Sequence, residues 1–239
     1  MRKATVRGLA LLAGLIGYGF SMAVMVRAGL GLDPWDVFHQ GLARHLPLSF
    51  GLVTALTGAV VLLLWLPLRQ RPGIGTVANV VVIAVSVDAA LALIPVPTAL
   101  PARAALLAGG IVLNGLASAA YIGARLGPGP RDGLMTGLAA RTRWSIRLVR
   151  TGIELTVLAV GWLLGGTVGV GTVAYALAIG PLTQAFLPWC VVRQSTSGLE
   201  VGQRPRPHHG EQDAQRQDRA EEHDRAHRSG VVAQHSDQR

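Results

Sequence analysis

Long unbroken apolar stretches set the main constraint on this chain. A helix that crosses a bilayer needs about 20 mostly apolar residues. Six segments meet that need: residues 8–26, 50–68, 74–94, 104–122, 148–165 and 170–192. A surface helix of a soluble domain confines its apolar residues to one stripe, whereas these segments are apolar nearly all round. Composition agrees. Hydrophobic residues make up 50% of the chain and charged residues only 15%, where soluble domains carry roughly 25% charge. Mean hydropathy is +0.41. The expected fold class is all-α: a polytopic membrane helix bundle of about six transmembrane helices.

The first segment follows Arg2, Lys3 and Arg7, as the apolar stretch of a signal peptide would. Its apolar run is long, Arg27 closes it and no small-x-small cleavage site follows, so it reads as a retained first helix.

Charge divides the chain. Residues up to Arg193 hold 15 basic and 5 acidic side chains, and the remainder hold 7 and 8. The expected domains are a membrane domain over 1–193 and a disordered polar cytoplasmic tail over 194–239. The tail has too few apolar residues to fold alone. His223 and His227 stand one turn apart within it, and a solvated charged segment explains them better than a metal site. The basic residues of the body are nearly all Arg and lie between apolar runs, which favours lipid over nucleic acid as partner. With the N-terminus cytoplasmic, twelve basic residues fall in inner segments and only Arg27, Arg44 and Arg103 in outer ones. That bias fits the positive-inside rule and places both termini in the cytoplasm of a cell (plasma) membrane protein. Trp65, Tyr121 and Trp189 fall near inner helix ends, where amphipathic rings gather. The lone Cys190 permits no intramolecular disulfide and reads as a small filler near a helix end.

The chain repeats itself at an offset of 96 residues. Residues 30–43 align without gaps on 126–139 with seven of fourteen positions identical, and 73–78 align on 169–174 with five of six. Ser49, Leu52 and Val53 match Ser145, Leu148 and Val149. Repeat one is set at 8–97 and repeat two at 104–193. Each holds three spans, so the second copy enters the membrane from the opposite side. Inverted 3+3 repeats of this kind are common among secondary transporters.

The Gly-x-x-Pro-x-Asp segment and the later Gly-x-Gly-Thr resemble the YczE/YyaS/YitT group of bacterial multi-pass membrane proteins. The residues concerned are Gly31, Pro34, Trp35 and Asp36, then Gly73, Gly75 and Thr76. The resemblance covers roughly residues 8–192. It implies an integral membrane location and brings no chemistry or substrate with it. The second copy keeps Gly127, Pro130 and Asp132 but has Arg131 where the first has Trp35.

Asp36 and Asp132 are the only acidic residues matched between the copies, each in a stretch (33–46 or 129–143) too short to span. Two explanations are open. In the first, Asp33 or Gly129 is an N-cap, Pro34 or Pro130 the first helical residue, and the aspartate sits in the first turn. In the second, the short helices are re-entrant or interfacial gates whose aspartates form a cation or proton site. Asp88 and Glu154 lie inside expected spans, where a charge usually faces a partner or cavity. Asp88 aligns on Gln184. Glu154 follows Arg150 by one turn, so an ion pair explains it without a function. Asn79, Asn114 and Tyr175 suit helix–helix hydrogen bonds. Gly73, Gly75 and Thr76, with Gly169, Gly171 and Thr172, open the third and sixth spans. Tight turns with close packing explain them better than anion binding at helix N-termini.

Asp132-Gly133 with Ala140-Arg141 shares the start of membrane alcohol-phosphotransferase motifs, but the second aspartate pair is missing. No His-Glu-x-x-His or Gly-x-Ser-x-Gly occurs, so no enzyme activity, catalytic residue, metal or cofactor is expected. The function expected is transport of an unidentified small solute, with proton coupling as an option. The alternative is a membrane scaffold or regulator that binds a partner through its cytoplasmic loops or tail.

Overall fold

The computed structural model describes residues 2–191; Arg193 and the tail lie outside the described residues. Eight helices follow one another: α1 (Arg2–Ala28), α2 (Pro34–His45), α3 (Phe50–Leu68), α4 (Ile74–Leu93), α5 (Leu100–Ala124), α6 (Pro130–Thr142), α7 (Ile146–Leu163) and α8 (Val170–Cys190). Among the described residues no strand occurs. The long helices match the six expected spans closely, and α2 and α6 are the two short stretches. By length and composition five helices can cross a membrane: α1, α3, α4, α5 and α8. α7 is the exception, because its 18 residues include Arg147, Arg150 and Glu154.

Local signals fix the helix ends. Asp33 caps α2 by accepting from the Trp35 and Asp36 amides, and Pro34 supplies the first helical position. Ser49 and Ser145 cap α3 and α7 by accepting from the Leu52 and Leu148 amides. Such caps satisfy donors that have no partner within the helix. Cys190 is the last residue of α8 and is half-buried.

α1 and α5, which the 96-residue offset aligns, run antiparallel. Gly14 of α1 lies against Ala117 and Tyr121 of α5, and Gly110 of α5 lies against Met25 of α1. Both ends of this pair close in the same way. Arg7 donates to the carbonyls of Ala124 (2.8 Å) and Arg125 (2.7 Å) at the end of α5. Arg103, 96 residues later, donates to those of Ala28 (2.7 Å) and Gly29 (2.8 Å) at the end of α1. These carbonyls lack partners within their own helices.

The short helices are exchanged between the copies. α2 packs on α7, and α6 packs on α3. Gly41 faces Leu164 and Gly161, as Gly137 faces Leu68. The loops cross over too. The Gly75 amide donates to the Leu126 carbonyl at 2.9 Å, and the Gly171 amide to the Leu30 carbonyl at 2.8 Å. Gly31 (φ +119°) and Gly127 (φ +135°) hold left-handed conformations in these loops, each against the other copy's Gly-x-Gly-Thr turn. A Cβ on Gly31 would stand 2.8 Å from the Gly169 and Thr172 amide nitrogens. Close backbone packing therefore accounts for both glycine motifs.

The core is discontinuous. Leu11, Leu15, Met22, Phe50, Ile83 and Val87 form one cluster, Met25, Leu32, Val37, Leu107 and Ile111 a second, and Trp35, Val61 and Trp65 a third. Large apolar side chains cover the outside, among them Leu66 (73% exposed), Val85 (65%) and Leu177 (73%). Apolar surface on that scale suits acyl chains and would aggregate in water.

Trp65 departs from the expectation of an interfacial ring: it is only 2% exposed. Its indole N–H donates to the Pro130 carbonyl at 3.0 Å, and the ring fills the space left by Gly133. Tyr121 also faces inward, whereas Trp189 is exposed.

Candidate functional site

The amphipathic α2 turns its polar side inward. Trp35, Phe38 and Leu42 line an outer groove, as helical spacing predicts, while Asp36 and His39 are buried. Arg131 at the start of α6 reaches the same place from the other copy. Its guanidinium nitrogens stand 3.8 Å from Asp33 Oδ1 and 3.8 Å from Asp36 Oδ1. Its Cζ lies 4.9 Å from the Trp35 ring centroid, a cation–π contact. His39 Nδ1 is 3.2 Å from Asp36 Oδ1.

Asp33, Trp35, His39 and Arg131, with Asp132, line a cavity of about 310 Å³ between the helices, and Asp36 is buried behind that wall. Tyr18, Tyr121 and Tyr175 add aromatic faces. Tyr121 donates to Asp132 Oδ2 at 3.0 Å. Tyr175 donates to Asn114 Oδ1 (3.0 Å), and Asn114 to Ser21 Oγ (2.8 Å). Asn79 also lines the cavity. Arg150 and Glu154 enter the wall from α7 already paired at 2.8 Å.

The electrostatics are incompletely balanced. Ion-pair separations of 3.8 Å exceed the usual 2.7–3.2 Å of an N–H···O bond. Asp33 Oδ2, Asp36 Oδ2 and the Trp35 indole N–H are buried without a hydrogen-bond partner. Such groups normally find partners, because leaving one unpaired costs about 1–3 kcal/mol. Burial pushes the Asp33 carboxyl up to about 7, helped by the Asp36 charge and opposed by Arg131. Burial likewise raises Asp36 and lowers His39 to about 3, so the imidazole is neutral at physiological pH.

The sequence-derived candidates divide. Asp132 and Glu154 line the cavity, and Asp36 lies behind it, 3.8 Å from Arg131. Asp88 sits apart at the start of α3, where it accepts from Ser49 Oγ (2.5 Å) and the Gly51 amide (2.7 Å). That is the geometry of a helix cap. Gln184, its counterpart, does line the cavity. Three members were not singled out from sequence, Tyr18 among them. Asp33 read only as a cap, yet it also faces Arg131. His39 carried no motif. No group of three or more His, Cys, Asp or Glu side chains among the described residues is arranged to hold a metal ion.

Apolar helices of spanning length around a charged internal cavity define an integral, multi-pass helical membrane protein. A family of unknown function, DUF6198, matches residues 5–188, and the chain belongs to that family. An uncharacterized protein of Haemophilus influenzae is 41% identical over 177 residues, covering 74% of this chain and 81% of its own. The uncharacterized membrane protein YczE of Bacillus subtilis is 35% identical, over 74% of this chain and 83% of its own. The uncharacterized protein YyaS of Bacillus subtilis is 22% identical, over 73% and 89%. The resemblance to the YczE and YyaS group thus holds. No solved structure matches the chain.

Proposed function

We propose that the chain is a plasma-membrane permease that binds a small solute in the central cavity and exposes it alternately to the two sides. The observation that carries this reading is the cavity itself, whose charged wall is built jointly by α2 and α6 from opposite copies. The antiparallel α1 and α5 support an inverted repeat, in which both termini are cytoplasmic. Arg7 and Arg103 then act as equivalent latches, Arg7 at the cytoplasmic end and Arg103 at the extracellular end. Both are engaged in this structure, which corresponds to an occluded state. Inverted repeats that rock about a site near the bilayer midplane are a common basis of alternating access.

Flux into proteoliposomes containing the purified full-length chain tests the proposal, with amines, amino acids and carboxylates as a solute panel. The expectation is saturable uptake of at least one class, lost in Asp36→Asn and Asp132→Asn at normal expression. Asn is itself a good helix-terminal residue, so a purely capping role predicts near-normal function in both variants. Absence of uptake for the whole panel, or full activity of both variants, contradicts the assignment.

A further inference from the structure

The cavity wall carries more acid than base. Glu154 and Arg150 satisfy each other at 2.8 Å. That leaves Asp33 and Asp132 in the wall, with Asp36 buried behind it, against a single guanidinium, Arg131, which stands off from Asp33 and Asp36 at 3.8 Å. Asp33 and Asp36 are 2% and 0% exposed, and each has a carboxylate oxygen without a partner. The first turns of α2 and α6 favour an anion in principle. Asp33 and Asp36 already occupy the start of α2, and Asp132 that of α6, so a further anion would meet a carboxyl group at each helix start. A cation meets those carboxyls and the aromatic side chains of Tyr18, Tyr121 and Tyr175, whose π systems attract positive charge.

A second feature bears on the rest of the ligand. An apolar groove of about 650 Å³ runs along Phe38, Leu42, Leu56, Val60 and Leu64. It shares Trp35, Thr57 and Val61 with the polar cavity, so the two spaces adjoin at those three side chains. α3 and α7 pack on α6 and α2 respectively, and both contribute residues to the groove.

We infer that the site takes an amphiphilic organic cation, with a small ammonium or amidinium head beside Asp33 and Asp132 and a hydrocarbon part that passes Trp35, Thr57 and Val61 into the adjoining groove. A head group suits the cavity, whose 310 Å³ is at the small end of ligand sites. The inference rests on the solute-binding reading and narrows its substrate class.

Equilibrium binding to the full-length chain in lipid nanodiscs tests it without requiring transport. The probes are hexyltrimethylammonium, tetramethylammonium and hexanoate. Saturable binding of hexyltrimethylammonium is expected, with tetramethylammonium about tenfold weaker and no competition by hexanoate. Asp33→Asn and Asp132→Asn should each weaken the hexyl probe about tenfold while retaining the wild-type melting temperature within a few degrees. Asn keeps the capping ability of Asp33. Phe38→Ala should weaken the hexyl probe and leave tetramethylammonium unchanged. Tighter binding of hexanoate, or no saturable binding of either cation, overturns the inference. Equal affinity for the two cations overturns its amphiphilic part and leaves the groove to a lipid acyl chain. Cation binding without flux in proteoliposomes defeats the permease reading alone. Flux of a carboxylate without cation binding defeats this inference alone.

Discussion

Removing the Arg7 or Arg103 guanidinium separately should loosen opposite ends of the bundle. Each donates two hydrogen bonds of 2.7–2.8 Å to the last carbonyls of a partner helix. Hydrogen bonds involving a charged group contribute about 1.5–3 kcal/mol each, and a cation at a helix C-terminus adds about 0.3–1 kcal/mol. Neither side chain is fully buried, so water recovers much of that on opening, and about 2 kcal/mol per latch is the working figure. At 1.4 kcal/mol per tenfold, the closed-to-open ratio at that end should fall roughly 30-fold. The assay is labelling of Thr57→Cys in the cavity wall, in a Cys190→Ser background, by a membrane-impermeant maleimide applied from one side at a time. Arg103→Ala should speed labelling from the extracellular side and Arg7→Ala from the cytoplasmic side. Acceleration from the same side by both variants, or none in correctly folded protein, would refute the latch assignment.

Gly31→Ala places a Cβ 2.8 Å from two amide nitrogens at a positive φ, and Gly127→Ala repeats the problem 2.9 Å from Thr76 Oγ1. Each should cost at least about 1–2 kcal/mol in thermal unfolding, whereas Gly109→Ala, with nothing within 4 Å, should be neutral or slightly stabilising. Asp88→Ala removes a cap and should cost about 1 kcal/mol, without altering ligand binding in the cavity, whose wall it does not join; a selective loss of binding would return Asp88 to the site. Cation binding should strengthen as pH rises through about 7, because Asp33 is protonated below that value and ionised above it. The groups facing it are Asp36, Arg131, Tyr18 and Tyr175, with Asp132 further along the wall, and His39 stays neutral throughout that window. Stability has the opposite sign: a carboxyl raised in the folded protein holds its proton longer than the unfolded chain does. Its contribution therefore falls between pH 3.8 and about 7. Binding that weakens with rising pH contradicts this.

Much of the fold was legible because its signals are local. Apolar run length placed the long helices, and Pro34 and Pro130 marked the start of the short ones. The 96-residue offset came from the loop motifs, and it also pairs Arg7 with Arg103 and Ala28 with Ala124. Single Arg and Ala matches carry little weight in this composition, so the two latches emerged only from their hydrogen bonds. Trp65 is the instructive miss. Its position near a helix end suggested an interfacial ring, but the missing side chain of Gly133, 68 residues away, creates the space it occupies. Asp33 shows why a cluster is harder to see than a cap. Its bonds to Trp35 and Asp36 follow from spacing, whereas its approach to Arg131 depends on α6 crossing to the opposite copy.

The opposed orientation of the two copies is tested most directly by topology reporters fused after Gln70, Pro97 and Gly166 in the cell membrane. An internal reporter at Gln70 with external reporters at Pro97 and Gly166 is expected. An external signal at Gln70, or an internal one at Pro97, contradicts it.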